Sequence, residues 1–153
     1  MDGKFKRRTR FVAGRYTTDQ YASLNYSIVV YRDSVWIALT IYAINYLDIW
    51  SCDIGNIYLN EKYRDKIWAK FGAEFGNDKG KFMIIMRALY GLKSSGKACR
   101  AMLDKMLLEL GYTPSRSDID VWMNHYTNPE TGKEYYAYLL LYVGDLIHLH
   151  HDP

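Results

Sequence analysis

Apolar and polar positions along the chain change period several times, and each change predicts an element. Residues 4–13 alternate, so Lys4, Lys6, Arg8 and Arg10 share one face of a predicted strand. Residues 17–32 carry little signal beyond the short run "SIVVY". Asp33 or Ser34 is the expected N-cap of a helix that runs to about Tyr46, with Ile37, Ile41 and Ile44 along one side. "LDIWSCDIG" then reads as a strand ending on a carboxylate and a glycine, and "KIWAKF" and "KFMIIMRAL" as two more. Ser94 or Ser95 is placed to cap a second helix, in which Ala98, Met102, Met106 and Leu110 recur every fourth residue. Gly111 stands where a left-handed C-terminal cap is wanted, and Pro114 confirms the stop. "DVWMNHY" and "EYYAYLLLYV" are strand-like runs separated by the turn-rich "TNPETGK", and a last hairpin follows. The order β-α-β-β-β-α-β-β-β predicts an α+β fold, a mainly antiparallel sheet with helices packed on one face.

Composition narrows this picture without changing it. With 153 residues, 49% of them hydrophobic, the chain has enough material for one core, so residues 1–153 are expected to form a single domain. The formal charge of +3 decides little, but the crowding of Lys4, Lys6, Arg7, Arg8 and Arg10 into one segment suggests an anionic partner. Cys52 and Cys99 lie far apart, which argues against a disulfide framework or a zinc knuckle and favours an intracellular setting. The charged start lacks the apolar core of a secretory signal. The greasiest segment, "VWIALTIYAINYLDIW", is broken by Asn45 and Asp48 and falls short of the roughly 20 apolar residues of a membrane span. It is expected to be a buried helix instead.

Two predicted strand ends present an aspartate, Asp53 in "CDIGNIY" and Asp145 in "YVGDL". If those strands are neighbours, both carboxylates project from one edge of the sheet. Hard Mg²⁺ prefers such oxygen donors, and two ions held there can steady the attacking and leaving oxygens of a nucleotidyl transfer. A lone aspartate at a strand end is more commonly a turn or capping residue. Composition leaves the choice open.

The wording around these residues shifts the balance. "RFVAG", "CDIGNIYLN", "RALYGLKSSGKAC" and "LLLYVGDLI" occur in the order and spacing of copia-type retrotransposon reverse transcriptases. The chain resembles that family from about Lys4 to Pro153, and the resemblance implies the fingers and palm of an RNA-directed DNA polymerase. It implies that Asp53 is the first metal-binding aspartate and that the carbonyl of Ile54 also faces a metal ion. Tyr58 matches the bulky residue that excludes the 2′-hydroxyl of a ribonucleotide by sterics. Without the resemblance it would read as a core tyrosine. "LYGLKSSG" matches the loop before the palm helix, where Tyr90 lies near the nucleotide sugar, Gly91 lets backbone approach a base pair, and Lys93 serves phosphate or only solvent. Arg10, then Lys6 and Arg8, match cationic fingers residues that hold the triphosphate and template, against the alternative of a solvated basic tail. The implied cofactors are two Mg²⁺ (or Mn²⁺) ions, and the implied partners are a primed RNA or DNA template and deoxynucleoside triphosphates. No membrane is implied. Members of the family are normally part of a polyprotein with integrase and RNase H, in a cytoplasmic particle or the nucleus.

The chain departs from the family pattern at three places. Gly96 replaces a common proline or arginine region, and Cys99 stands where a tryptophan is usual, so local repacking of the second helix is expected. At the hairpin tip the family reads Tyr-Val-Asp-Asp, whereas this chain reads Tyr142-Val143-Gly144-Asp145. The missing aspartate is the direct partner of the one matched by Asp53. Strand alternation turns Asp145 toward the opposite face from residue 144. A fold that survives with polymerase activity impaired is therefore expected, in a copy that stops soon after the hairpin and lacks the thumb. One alternative is a non-catalytic nucleic-acid-binding remnant, whose affinity would fall with salt. Another is a zinc site in "HLHHD", using His148 and His150 from one strand face with His151 beside them.

Overall fold

In a computed structural model, the chain is described at residues 12, 28–60, 62, 66–92 and 94–151. The basic strand expected over 4–13 lies outside these residues except for Val12, which bridges Tyr90 in parallel. Helix α1 spans Arg32–Asn45 and leads into β1, Asp48–Asp53. A 3₁₀ turn at Ile57–Asn60 precedes β2, Trp68–Lys70, and β3, Phe82–Ile84. Helix α2, Ser95–Glu109, is followed by the short β4, Thr113–Pro114. Strands β5, Val121–Thr127, β6, Glu134–Tyr142, and β7, Asp145–His150, complete the order. All pairings between named strands are antiparallel, with five strands in the order β1-β7-β6-β5-β4 and β2-β3 as a separate ribbon.

The expected α+β character and mainly antiparallel sheet are present, but the helices do not share one face. Leu139 and Leu141 of β6 join Cys99, Leu103 and Leu107 of α2 in one core cluster. Leu140, between them, joins Ala38 of α1 and Leu149 of β7 in another. Successive side chains of a strand point to opposite faces, so α1 covers one side of the sheet and α2 the other. The run "LLL" needs apolar cover on both sides, and one helix cannot give it.

Both helices bury a different stripe from the one their spacing suggested. In α1 the inward residues are Val35, Ala38 and Tyr42, while Ile37 and Ile44 are exposed together with Trp36. The segment expected to be a buried helix is thus one-sided, continues as edge strand β1, and leaves Trp50 exposed as well. An apolar sequence on every side expresses no preference for a face, so packing chooses one. The helix also starts before Asp33: Tyr31 is the extended N-cap residue, and its amide donates to Asp118 Oδ2 at 2.8 Å. In α2 the buried residues are Ser95, Cys99, Leu103 and Leu107, one position along from the expected stripe, with Met106 and Leu110 in solvent. Its end is as expected. Gly111 takes φ 86°, its amide donates to the Leu108 carbonyl at 3.0 Å, and the Tyr112 amide donates to Leu107 at 2.9 Å. That pair of bonds is the Schellman arrangement. Pro114 sits in the edge strand β4, where its missing N–H costs no central ladder bond.

Candidate active site

Sheet register brings the two sequence-distant aspartates together. β1 and β7 pair so that Asp53 lies directly opposite Asp145, and directly opposed residues of an antiparallel ladder project from the same face. The Ile54 amide donates to the Gly144 carbonyl at 2.7 Å, carrying the contact past the last pair into the turn. Both aspartates are exposed at this rim. A Cβ built on Gly144 would lie 3.5 Å from Asp53 Oδ1, 3.5 Å from Ile57 Cγ2 and 3.7 Å from the Ile54 carbonyl oxygen. Those are ordinary contact distances. A side chain at 144 would therefore start beside the carboxylate of Asp53 and the carbonyl of Ile54.

The turn that carries Gly144 is strained at its neighbour. Tyr142 pairs with Asp145, so Val143 and Gly144 form a two-residue connection. The left-handed φ, 55°, falls on Val143, and Gly144 lies outside that region. The glycine thus does not relax the hairpin by conformational freedom. A β-branched residue in that conformation costs about 1–3 kcal/mol and persists only where neighbours over-determine it. Here the Val143 amide donates to the Ile28 carbonyl at 2.6 Å, and Val29 bridges the exposed Tyr142.

Beside the tip, fully buried Ile57 anchors the 3₁₀ turn and places Tyr58 against Tyr90, edge to face, with ring centroids 4.5 Å apart. Burial, then Cys99 and Tyr90, pushes the Tyr58 phenol above its usual value. Gly91 adopts φ 91°, which an L side chain rarely takes. The Ser95 hydroxyl donates to the Leu89 carbonyl at 2.8 Å, tying the start of α2 to the loop that presents Tyr90. Asp53, Ile54, Tyr58, Tyr90, Gly91, Tyr142, Val143, Gly144 and Asp145 are all described, whereas Lys6, Arg8, Arg10 and Lys93 lie outside the described residues. Cys99 is buried within the α2 core cluster, which also holds Trp122, the largest fully buried side chain among the described residues.

Hard oxygen donors are present at the rim: two carboxylates and one carbonyl. Among the described residues, however, no three His, Cys, Asp or Glu side chains converge as a metal-binding group. Among the described residues the rim therefore offers Asp53 and Asp145 with the Ile54 carbonyl, and no third carboxylate beside them. His148 and His150 of β7 lie with ring centroids 5.3 Å apart, and they and the following His151 also meet tyrosines. His148 Nε2 lies 2.8 Å from the Tyr112 hydroxyl, His150 Nε2 lies 3.1 Å from the Tyr135 hydroxyl, and the His151 ring meets Tyr135 edge to face. Among the described residues no helix is long and apolar enough to cross a membrane.

Sequence reasoning missed a charged group that borders this site. Asp120 is fully buried and Asp118 nearly so. Arg100 of α2 donates to Asp120 Oδ1 and to Asp104, and through Nη2 to the Ile119 carbonyl at 2.7 Å. The available signal was "SDID", two carboxylates spaced by one residue directly before an apolar strand.

The family model described as reverse transcriptase (RNA-dependent DNA polymerase) matches residues 1–152. Over 159 aligned residues the chain is 29% identical to the Retrovirus-related Pol polyprotein from transposon RE1 of Arabidopsis thaliana. That alignment covers 99% of this chain and 10% of the relative, so the chain spans about a tenth of that protein's length. No solved structure matches the chain. A match over nearly every residue, with the quoted motifs inside it, shows that the chain belongs to the reverse transcriptase (RNA-dependent DNA polymerase) family.

Proposed function

We propose that the chain is the fingers–palm domain of a copia-type RNA-directed DNA polymerase from a retrotransposon polyprotein, with its metal site impaired by Gly144. The observation that carries this reading is the rim itself: Asp53 opposite Asp145, with residue 144 facing Asp53 and the Ile54 carbonyl. Asp53, Asp145 and Ile54 are the residues that would meet Mg²⁺ or Mn²⁺, which supplies charge stabilisation for nucleotidyl transfer when bound. A glycine at 144 offers no oxygen there beyond its backbone, and water in that place brings no negative charge. Mg²⁺ is exacting about octahedral oxygen coordination, so loss of one carboxylate costs both charge and geometry.

The chain's own residues retain the other parts of such a site. The Tyr58–Tyr90 pair forms an aromatic wall in which Tyr58 excludes a ribose 2′-hydroxyl and Tyr90 lies along the sugar. Gly91 lets a base pair approach the backbone. Lys6, Arg8 and Arg10 supply phosphate contacts for the triphosphate and the template strand. The test is primer extension on an RNA template in an otherwise complete enzyme, comparing Gly144 with Gly144→Asp. Much faster extension by the aspartate form is expected. Equal rates refute the impaired-site reading.

The non-catalytic alternative, a nucleic-acid-binding remnant, is favoured by the exposed lysines of the β2–β3 region, Lys66, Lys70, Lys79 and Lys81. Filter binding at several salt concentrations separates it from the first reading. A remnant binds with a steep salt dependence and gains no incorporation from Gly144→Asp.

A further inference from the structure

We propose that Asp120, held by Arg100, is a positioning residue for the hairpin tip, and that it sets where residue 144 projects relative to Asp53 and Ile54. The inference rests on the polymerase reading only for what the tip is used for. The mechanical link stands on hydrogen bonds.

β6 outruns its neighbour. The last β5–β6 pair is Val121 with Leu140, so Leu141, Tyr142 and Val143 have no β5 partner on that edge. Residues 28–30 and Asp120 take its place. The Leu141 amide donates to the Asp120 carbonyl at 3.0 Å, the Val30 amide donates to the Leu141 carbonyl at 3.0 Å, and the Val143 amide donates to Ile28 at 2.6 Å. The segment that clamps strained Val143 is itself clamped by carboxylates. Val29 N–H donates to Asp120 Oδ2 at 3.0 Å, and Tyr31 N–H donates to Asp118 Oδ2 at 2.8 Å. Asp118 Oδ1 also accepts from the Asp120 amide at 3.0 Å, which stiffens the short loop between them.

A carboxylate this deep needs a counter-charge and several donors. Arg100 gives Asp120 its counter-charge, and its guanidinium lies over the Trp122 ring, 5.8 Å from the centroid. The same guanidinium grips the Ile119 carbonyl. The path from α2 to the tip is therefore short and polar throughout: Arg100, the Asp120 carboxylate, the Val29 amide, the Ile28 carbonyl, the Val143 amide. On the far side of the turn the Gly144 carbonyl accepts from Ile54. Releasing residues 28–31 frees Val143 to leave its left-handed conformation, and Gly144 swings with it.

The test uses the full chain carrying Gly144→Asp, with Asp120→Ala and Asp120→Asn added separately. Asparagine keeps an oxygen for the Val29 amide but gives up the charge. Two readouts are followed: exchange of the Val143 amide proton by NMR, and Mn²⁺ binding by the EPR signal of free ion. For Asp120→Ala, Val143 exchange is expected to rise by about tenfold while the β5–β6 amides keep their protection. Mn²⁺ binding is expected to weaken by about tenfold, the lower end of what losing an outer partner costs a metal site. Asp120→Asn should recover part of both. Unchanged exchange and unchanged Mn²⁺ binding overturn the proposal, as does an equal loss of protection across the whole sheet. Should Asp120→Ala fail to fold, Arg100→Lys carries the test. It keeps a cation but loses the fork, so faster Val143 exchange is expected and no change overturns the link. Absence of Mn²⁺ binding in the Gly144→Asp parent counts against the polymerase reading alone, and the exchange readout then decides the positioning role.

Discussion

Replacing Gly144 by aspartate in the isolated chain gives two opposite effects whose sizes follow from the rim geometry. The new Cβ would lie 3.5 Å from Asp53 Oδ1, with no left-handed backbone strain to pay for at 144. Its carboxylate would sit within about 4–5 Å of that of Asp53, where two like charges repel by roughly 1 kcal/mol if water screens them fully and about 4 at an effective dielectric of 20. The rim is exposed, so the lower figure applies. A loss of about 1 kcal/mol lowers the melting temperature of a chain of this size by roughly 2–4 °C. A divalent ion reverses the sign. At a concentration about 100 times its Kd, a bound ion adds about 2.7 kcal/mol, or roughly 5–10 °C on the same scale. Thermal unfolding in EDTA and in Mn²⁺, for the parent and the variant, reads both effects. The variant should melt below the parent in EDTA and gain several degrees more from Mn²⁺. Equal Mn²⁺ responses in the two chains would refute the idea that residue 144 faces an ion shared with Asp53.

Three further outcomes test the fold around the site. Leu103→Ala opens the α2 core and should cost about 2–5 kcal/mol, whereas Met106→Ala, one position from the buried stripe, should cost under about 0.5; urea unfolding distinguishes them, and similar losses would reverse the assignment of the buried face. Gly111→Ala forces a Cβ into φ 86° and to 3.3 Å from Asn124 Nδ2, so a loss of about 1–2 kcal/mol is expected by the same measurement. The His148 imidazole is pushed below its usual value, first by burial and then by His150. The fold therefore favours neutral His148, and the unfolded chain takes up the proton first. That stabilisation is complete above the ordinary value of 6.5 and is lost as pH falls through the lower folded value. Urea midpoints should drop on acidification, and His148→Gln should flatten the profile; an unchanged slope counts against the assignment.

Local chemistry wrote much of this protein into its sequence. Gly111 had to end α2, because only a left-handed residue there lets the Leu107 and Leu108 carbonyls find donors. The "TNPETGK" turn was equally legible: Asn128 Oδ1 accepts from the Glu130 and Thr131 amides, and Gly132 takes φ 67°. The motifs around Asp53, Tyr90 and Gly144 identified the family. The strand ends that carry Asp53 and Asp145, which the register sets opposite one another, were readable because strand ends and turns are short-range features.

Which surfaces meet was decided only in three dimensions. The apolar residues of α1 surround the helix, so no periodicity could choose Ala38 over Ile37 as the buried position. In α2 the stripes 98-102-106-110 and 95-99-103-107 differ by a fraction of a turn, and Ser95 at the head of the true one disguises it. The helices separated to opposite faces because "LLL" in β6 exposes leucine on both sides of a central strand. The tip of the hairpin depends on Asp120 and Arg100, twenty residues apart along the chain, and on a segment near residue 28 whose only local mark is a few β-branched residues. Long-range hydrogen bonds to buried carboxylates leave no period in a sequence, since each is a meeting of two points that chain order keeps apart.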